Sequence, residues 1–214
     1  MANILTWLFS SSDEQLMWRV KLQGDAQAFA VLVTRWQTPI QRLCIRMTGD
    51  SHRAEDLAQT AFARVFARRE HWKPSGKFST FLWRIALNLC HDELRQTTRR
   101  RECSLDALED DEAMPMAFLA ADEPAPDTQA DTRERGESVR QALCELAPHY
   151  REVVVLRHYE QLKFHEIGDV LGIPEGTAKS RMAEALTQLN RLLHHLNEDI
   201  SCKPKIQKPE LLAL

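Results

Sequence analysis

One string in the chain has the spacing of a metal or hydrolytic centre, His165-Glu166-Ile167-Gly168-Asp169. A helical zinc protease needs a second histidine where Asp169 stands, so one ligand is missing. His194 and His195 are adjacent and diverge around a helix. The cysteines Cys44, Cys90, Cys103, Cys144 and Cys202 are scattered, with no CxxC pair. No glycine-rich phosphate loop or nucleophile elbow is present. Catalysis, a resident metal and an organic cofactor are therefore not expected. What remains is non-covalent chemistry, and its shape is that of polyanion recognition.

Two groups carry it. Arg84, Asn88, His91 and Arg95 fall at i, i+4, i+7 and i+11, which places them on one helical ridge running into Arg99, Arg100 and Arg101. Lys77, Phe78 and Trp83 stand beside that ridge in sequence. Cations that track phosphates and rings that stack on unpaired bases would together hold a single strand. A solvated helix with a basic tail would show the same cations. The second group is Thr177, Lys179, Ser180 and Arg181, on the leading turn of a helix that follows Gly172-Ile173-Pro174. A short amphipathic helix, a Gly-Pro turn and a longer helix with a polar start form the grammar of a helix-turn-helix, whose second helix enters the major groove. Two core helices joined by a tight turn would give the same local pattern.

The elements that must position these groups read as helices throughout. Phe29, Leu32, Val33, Trp36, Ile40, Leu43, Cys44 and Met47 form one apolar stripe despite Pro39. Leu16, Met17 and Val20 start a helix before it, closed near Gly24. Leu57, Ala58, Ala61, Phe62, Val65 and Phe66 line another after Gly49-Asp50-Ser51, and Leu82, Ile85, Ala86 and Leu89 a fourth starting near Ser79. Cys44, Cys90 and Cys144 fall within helical patterns as small apolar residues. The run Val153-Val154-Val155-Leu156 has strand propensity, yet its flanks are helical in pattern and helix is expected. The fold class is thus all-α, two small helical domains joined by an acidic flexible linker.

Charge divides the chain the same way. Residues 14–101 hold 16 Lys and Arg against 8 Asp and Glu, residues 102–137 hold 2 against 12, and residues 138–214 are balanced at 10 against 10. A basic module beside an acidic, proline-containing connector fits polyanion binding with a tether kept off that surface. The expected boundaries are a lead-in 1–13, a first module 14–101, a linker 102–137, a second module 138–196 and a tail 197–214. The apolar start MANILTWLF lacks a basic leader and is too short to span a bilayer, so neither secretion nor membrane insertion is expected. Scattered cysteines fit a reducing, cytoplasmic setting.

With both modules in view, the chain resembles the extracytoplasmic-function (ECF) sigma factors of bacteria. AEDLAQTAFARVF (54–66) is similar to the stretch that docks on the clamp of RNA polymerase. FSTFLWRIALNLCHDELRQTTRR (78–100) is similar to the stretch that melts the minus-ten element, and LAPHYREVVVLRHYEQLKFHEIGDVLGIPEGTAKSR (146–181) to the family's helix-turn-helix. The resemblance implies a promoter-specificity subunit with core RNA polymerase and promoter DNA as partners, and an anti-sigma factor as regulator. It implies polymerase contacts at Asp56, Leu57, Gln59, Phe62 and Val65. It implies minus-ten contacts at Asn88 and the 73–78 loop, with Arg84, Arg95, Arg99 and Arg100 on phosphates. Thr177, Lys179, Ser180 and Arg181 would meet the minus-thirty-five element, Arg181 on a base edge. The chain departs from the family where Leu87, Glu184 and Leu186 replace basic residues; a glutamate at 184 facing phosphate would weaken the upstream contact or shift its register. Gly168 replaces an alanine, which should soften the helix by about 0.5–1 kcal/mol. A dimeric helix-turn-helix repressor is the competing reading, but no heptad run supplies a dimer seam.

Overall fold

Capping residues set the helix boundaries of the first module. In the structure, a computed structural model that describes residues 11–104 and 126–201, with side chains over 11–100 and 136–194, helix α1 spans Asp13–Gln23. Ser12 caps it by accepting from the Gln15 amide while Gln15 reaches back to the Ser12 amide, both at 3.2 Å. Gly24 closes it in the left-handed region at φ 63°. Helix α2, Ala26–Thr48, starts at Asp25, whose carboxylate accepts from the Gln27 and Ala28 amides at 3.0 Å. Those bonds, the Ala28 amide foremost, hold the Asp25 carboxyl below its usual range, with Arg19 assisting. Pro39 neither ends nor restarts α2, which runs unbroken to Gly49. Helix α3 is Ser51–Ala67, capped by Asp50, and α4 is Phe78–Ser104. Among the described residues no strand occurs.

The second module opens earlier than composition indicated. Helix α5 spans Pro126–Glu145, so its first turns fall inside the stretch read as linker. Proline at the first helical position and the acids that follow are ordinary helix-start residues, which low hydrophobicity obscured. Helix α6, Pro148–Val154, continues into a π turn, Val155–Tyr159; α7 is Phe164–Leu171 and α8 is Glu175–Ser201. The valine run is therefore helical, and packing explains its composition. Val153, Val155 and Leu156 join the cluster built by the first module, while Val154 turns to Leu143, Leu146 and Ala185. A helix buried on opposite sides needs apolar residues at every position.

Consequently the two modules share one core. Ile167, Val170 and Ala178 belong to the same buried cluster as Leu32, Ile40, Leu43, Val65 and Leu82. Polar clamps run along the seam. Arg151, only 4% exposed, donates to the Met47 carbonyl at the end of α2 and to the Cys144 and Leu146 carbonyls. It thereby satisfies acceptors that the helix ends leave open. Arg46 lies 3.6 Å from Glu160 and stacks 4.0 Å over the Tyr159 ring. Burial pulls Arg46 down and Glu160 up from their usual pKa values, the mark of a desolvated pair. Cys44 and Cys90 are fully buried, as expected, and the hydrogen bond between the two thiols, with burial assisting, raises the Cys90 thiol well above its usual pKa. Cys144 is exposed instead, with its sulfur beside Gly49 at the end of α2.

Replacing Arg151 by Ala should leave three carbonyls without that donor, two of those contacts lying in buried surroundings. We expect a loss of about 2–4 kcal/mol in urea unfolding followed by circular dichroism. Unchanged stability would show that the clamp adds nothing.

Candidate nucleic-acid interface

The α4 ridge exists as its spacing requires. Arg84, Asn88 and Arg95 are exposed along one face, His91 is half-buried, and Leu82, Ile85, Ala86 and Leu89 turn inward. The aromatic platform does not. Phe78 is fully buried and Trp83 is 3% exposed. Both rings pack edge-to-face against Trp36, at 6.2 and 5.5 Å between centroids. Phe78 lies one turn before Leu82, on the apolar side of α4, so helical periodicity overrides the expectation that these rings stack on bases. On α3, Asp56 and Gln59 are exposed, whereas Leu57, Phe62 and Val65 are buried. The last three support the helix from beneath rather than meeting a partner.

The helix-turn-helix is set by one close approach. Gly172 takes the left-handed conformation at φ 69°, and the Gly172 and Ile173 amides both donate to the Gly168 carbonyl, at 2.8 and 3.1 Å. A Cβ at Gly168 would sit 2.7 Å from the Ile173 carbonyl oxygen. Glycine here is a packing requirement of the turn, which corrects the expectation that it merely softens the helix.

On α8, Lys179 and Ser180 are exposed and Thr177 is half-buried. Lys179 pairs with Glu175 at 2.8 Å, and the Ser180 hydroxyl donates to the Thr177 carbonyl at 3.0 Å. Arg181 is held differently. Its guanidinium donates to Glu152 at 3.1 Å, and Glu152 is a buried carboxylate on α6. The other Glu152 oxygen lies 3.0 Å from His91 Nε2 on α4, close enough for an ion pair although the ring N–H is not aligned for a hydrogen bond. Sequence reasoning missed Glu152 altogether. Its signal was a charge followed directly by an apolar run, a place where an acid must find a cation.

The two groups face one another. A cleft of about 530 Å³ lies between α4 and the helix-turn-helix, with Arg84, Asn88 and His91 on one wall and Gly172, Ile173 and Arg181 on the other. The Lys77 ammonium meets Glu166 at 2.5 Å. Arg84 donates to the Val170 carbonyl at 3.2 Å and to the Asp169 carbonyl. Cations and an amide opposed to a polar helix start can hold phosphates and base edges. Among the described residues no group of His, Cys, Asp and Glu is disposed to hold a metal, and no helix is long and apolar enough to cross a membrane.

Known proteins share this organisation. The family models for Sigma-70 region 2 and Sigma-70 region 4 match residues 32–100 and 136–189. The ECF RNA polymerase sigma factor SigW of Bacillus subtilis is 36% identical over 176 residues, covering 81% of this chain and 93% of its own length. The RNA polymerase sigma-H factor of Pseudomonas aeruginosa is 31% identical, covering 88% of this chain and 97% of its own. Among solved structures, CnrH in complex with the cytosolic domain of CnrY has a TM-score of 0.64 at 21% identity, covering 86% of this chain and 99% of its own. The sigma factor RpoE in complex with the anti-sigma factor NepR, from Bartonella quintana, has a TM-score of 0.62 at 20% identity, covering 79% and 98%. At those identities the structural likeness is one of fold.

Changing Gly168 to Ala should lower stability by about 1–2 kcal/mol, because displacement of the Ile173 backbone outweighs the gain in helix propensity. Thermal unfolding checks it, and an equal or higher melting temperature would refute the close approach.

Proposed function

We infer that this chain, which belongs to the extracytoplasmic-function family of RNA polymerase sigma factors, divides promoter recognition between the α4 ridge and the leading turn of α8. As a promoter-recognising subunit it works with core RNA polymerase and does no covalent chemistry. The observation that carries the division is the exposure of Arg84, Asn88 and Arg95 on one face of α4, together with that of Lys179 and Ser180 at the start of α8.

On this reading Asn88 holds an unstacked base of the downstream element, and Arg84, Arg95, Lys77, Arg99 and Arg100 track its phosphates. Energy from strand capture offsets unstacking, which costs a few kcal/mol per base. Thr177, Lys179 and Ser180 approach the upstream duplex. Arg181, tied to Glu152, fixes α8 on α6 and reaches DNA only with its remaining donors. Asp56 and Gln59 form the exposed polymerase contact, stiffened by Leu57, Phe62 and Val65 beneath. The polymerase and minus-ten unit spans 14–101 and the upstream-element unit 138–196, with α5 lengthening the latter toward Pro126. An anti-sigma regulator is proposed by the same kinship, since the RpoE relative was solved with one. The working compartment is the cytoplasm, where polymerase and promoter are.

Replacing Asn88 by Ala should slow open-complex formation on duplex promoters about tenfold and act much less on pre-melted templates, since the lost contact is made only after strand separation. Equal effects on both templates would remove the assignment. Replacing Lys179 by Ala should weaken upstream duplex binding a few-fold across sequences and reduce the salt slope, with association to core polymerase unchanged. Parallel loss of core binding in a pull-down would contradict it.

A further inference from the structure

We propose that Trp18, on α1, stacks on an unpaired base of the minus-ten strand at the edge of the 73–78 loop. The inference rests on the reading of α4 and that loop as the strand-binding face, and adds to it a residue from a third element.

The loop is pinned to α1 at both ends. Before it, the Trp72 carbonyl accepts from the Lys21 ammonium at 2.6 Å; at its close, the Phe78 amide donates to the Glu14 carboxylate at 3.3 Å. Glu14, Trp18 and Lys21 fall at i, i+4 and i+7 on α1, so they form one stripe along the helix. Trp18 therefore stands between the two pins, about one turn from each, beside the loop. Leu16, Met17 and Val20 are the residues of α1 that fill the interior.

Trp18 is 42% exposed. Among the described residues Trp72 and Trp83 are buried and Trp36 packs against the core, which leaves Trp18 the one exposed indole. Leu22 is exposed too, but as the residue after Lys21 it is turned about 100° from that pin. What surrounds the ring selects its partner. Lys73 and Lys77 are exposed on the loop, although Lys77 also meets Glu166, and no acid occurs from 71 to 78. Cations beside a ring suit single-stranded nucleic acid, the cations tracking phosphate and the ring taking a base face. An apolar protein surface seated there would have to desolvate both lysines.

The two rings nearest those cations in sequence, Phe78 and Trp83, are committed to Trp36 and the interior. The ring that the surface needs is therefore supplied by α1. Ten residues along α4, about 15 Å, separate Phe78 from Asn88. The base on Trp18 is thus a different nucleotide from the one that Asn88 holds.

The test measures equilibrium binding of holoenzyme, assembled from core polymerase and the full-length protein, to a fluorescent single-stranded oligonucleotide. Its sequence is the minus-ten strand of a promoter that the holoenzyme transcribes in vitro. Trp18→Ala and Trp18→Leu should each weaken binding about tenfold, and Trp18→Phe no more than about threefold, because only a ring can stack. The slope of affinity against salt should stay that of wild type, since no phosphate contact is lost. Association with core polymerase should be unchanged, and Leu22→Ala should match wild type throughout. An abasic site at one position of the strand should cancel the effect of Trp18→Ala, so that the two losses do not add. Unaltered binding by Trp18→Ala, or equal losses for the Phe and Leu variants, would overturn the proposal. A parallel loss of core association would overturn it too, assigning Trp18 to a protein partner. Should Trp18→Ala unfold, the Phe and Leu pair decides alone. Failure of the strand-binding reading itself looks different: Asn88→Ala is then silent in open-complex formation, and abasic sites anywhere in the strand cost wild type nothing. If only Trp18 is wrongly assigned, abasic sites remain costly while Trp18→Ala binds as wild type does.

Discussion

The fold depends on the run Val153-Val154-Val155-Leu156, at the end of α6 and in the π turn after it, being buried on opposite sides. Val153, Val155 and Leu156 are shared with the first module and Val154 with α5 and α8, so a helix of two turns is the common wall of both units. Everything polar at the seam is arranged around this constraint. Arg151 and Glu152 precede the valines and point to different tasks, one closing the end of α2 and the other gathering His91 and Arg181. A guanidinium and a carboxylate at adjacent buried positions would be costly if either lacked partners. Here each has several, and they fix how the modules meet.

Much of this was legible in the chain. Gly24, Gly49-Asp50-Ser51 and Gly172 marked the breaks between helices, because caps are local chemistry that tertiary contacts seldom overrule. The spacing of Arg84, Asn88 and Arg95 gave a true surface ridge for the same reason. What failed was reading aromatic residues by type instead of by phase. Phe78 and Trp83 looked like base-stacking rings beside cations, but their positions on α4 assign them to Trp36 and the interior. Leu57, Phe62 and Val65 were likewise placed at a partner when periodicity had already placed them inside.

The contact between modules was not legible, since no local pattern encodes it. An acidic stretch between two helical blocks reads as separation, and composition offers nothing to say that Val155 will meet the first module's core. Leu87 was the one available hint. It breaks the polarity of its ridge, and such a break makes sense only when a second surface is known. Gly168 is similar: in isolation it reads as a weak helix residue, and only the Ile173 carbonyl explains it.

The anchoring of Arg181 to Glu152 bears on how such a protein can acquire new target sites. With α8 bolted to α6 through an interior carboxylate, and its approach to α7 gauged by a missing methyl group, the reading head has little freedom to tilt. On the division of labour proposed above, divergent preferences would arise by exchanging the exposed residues at 179 and 180 on a fixed chassis, so that neighbouring base pairs are re-specified one at a time.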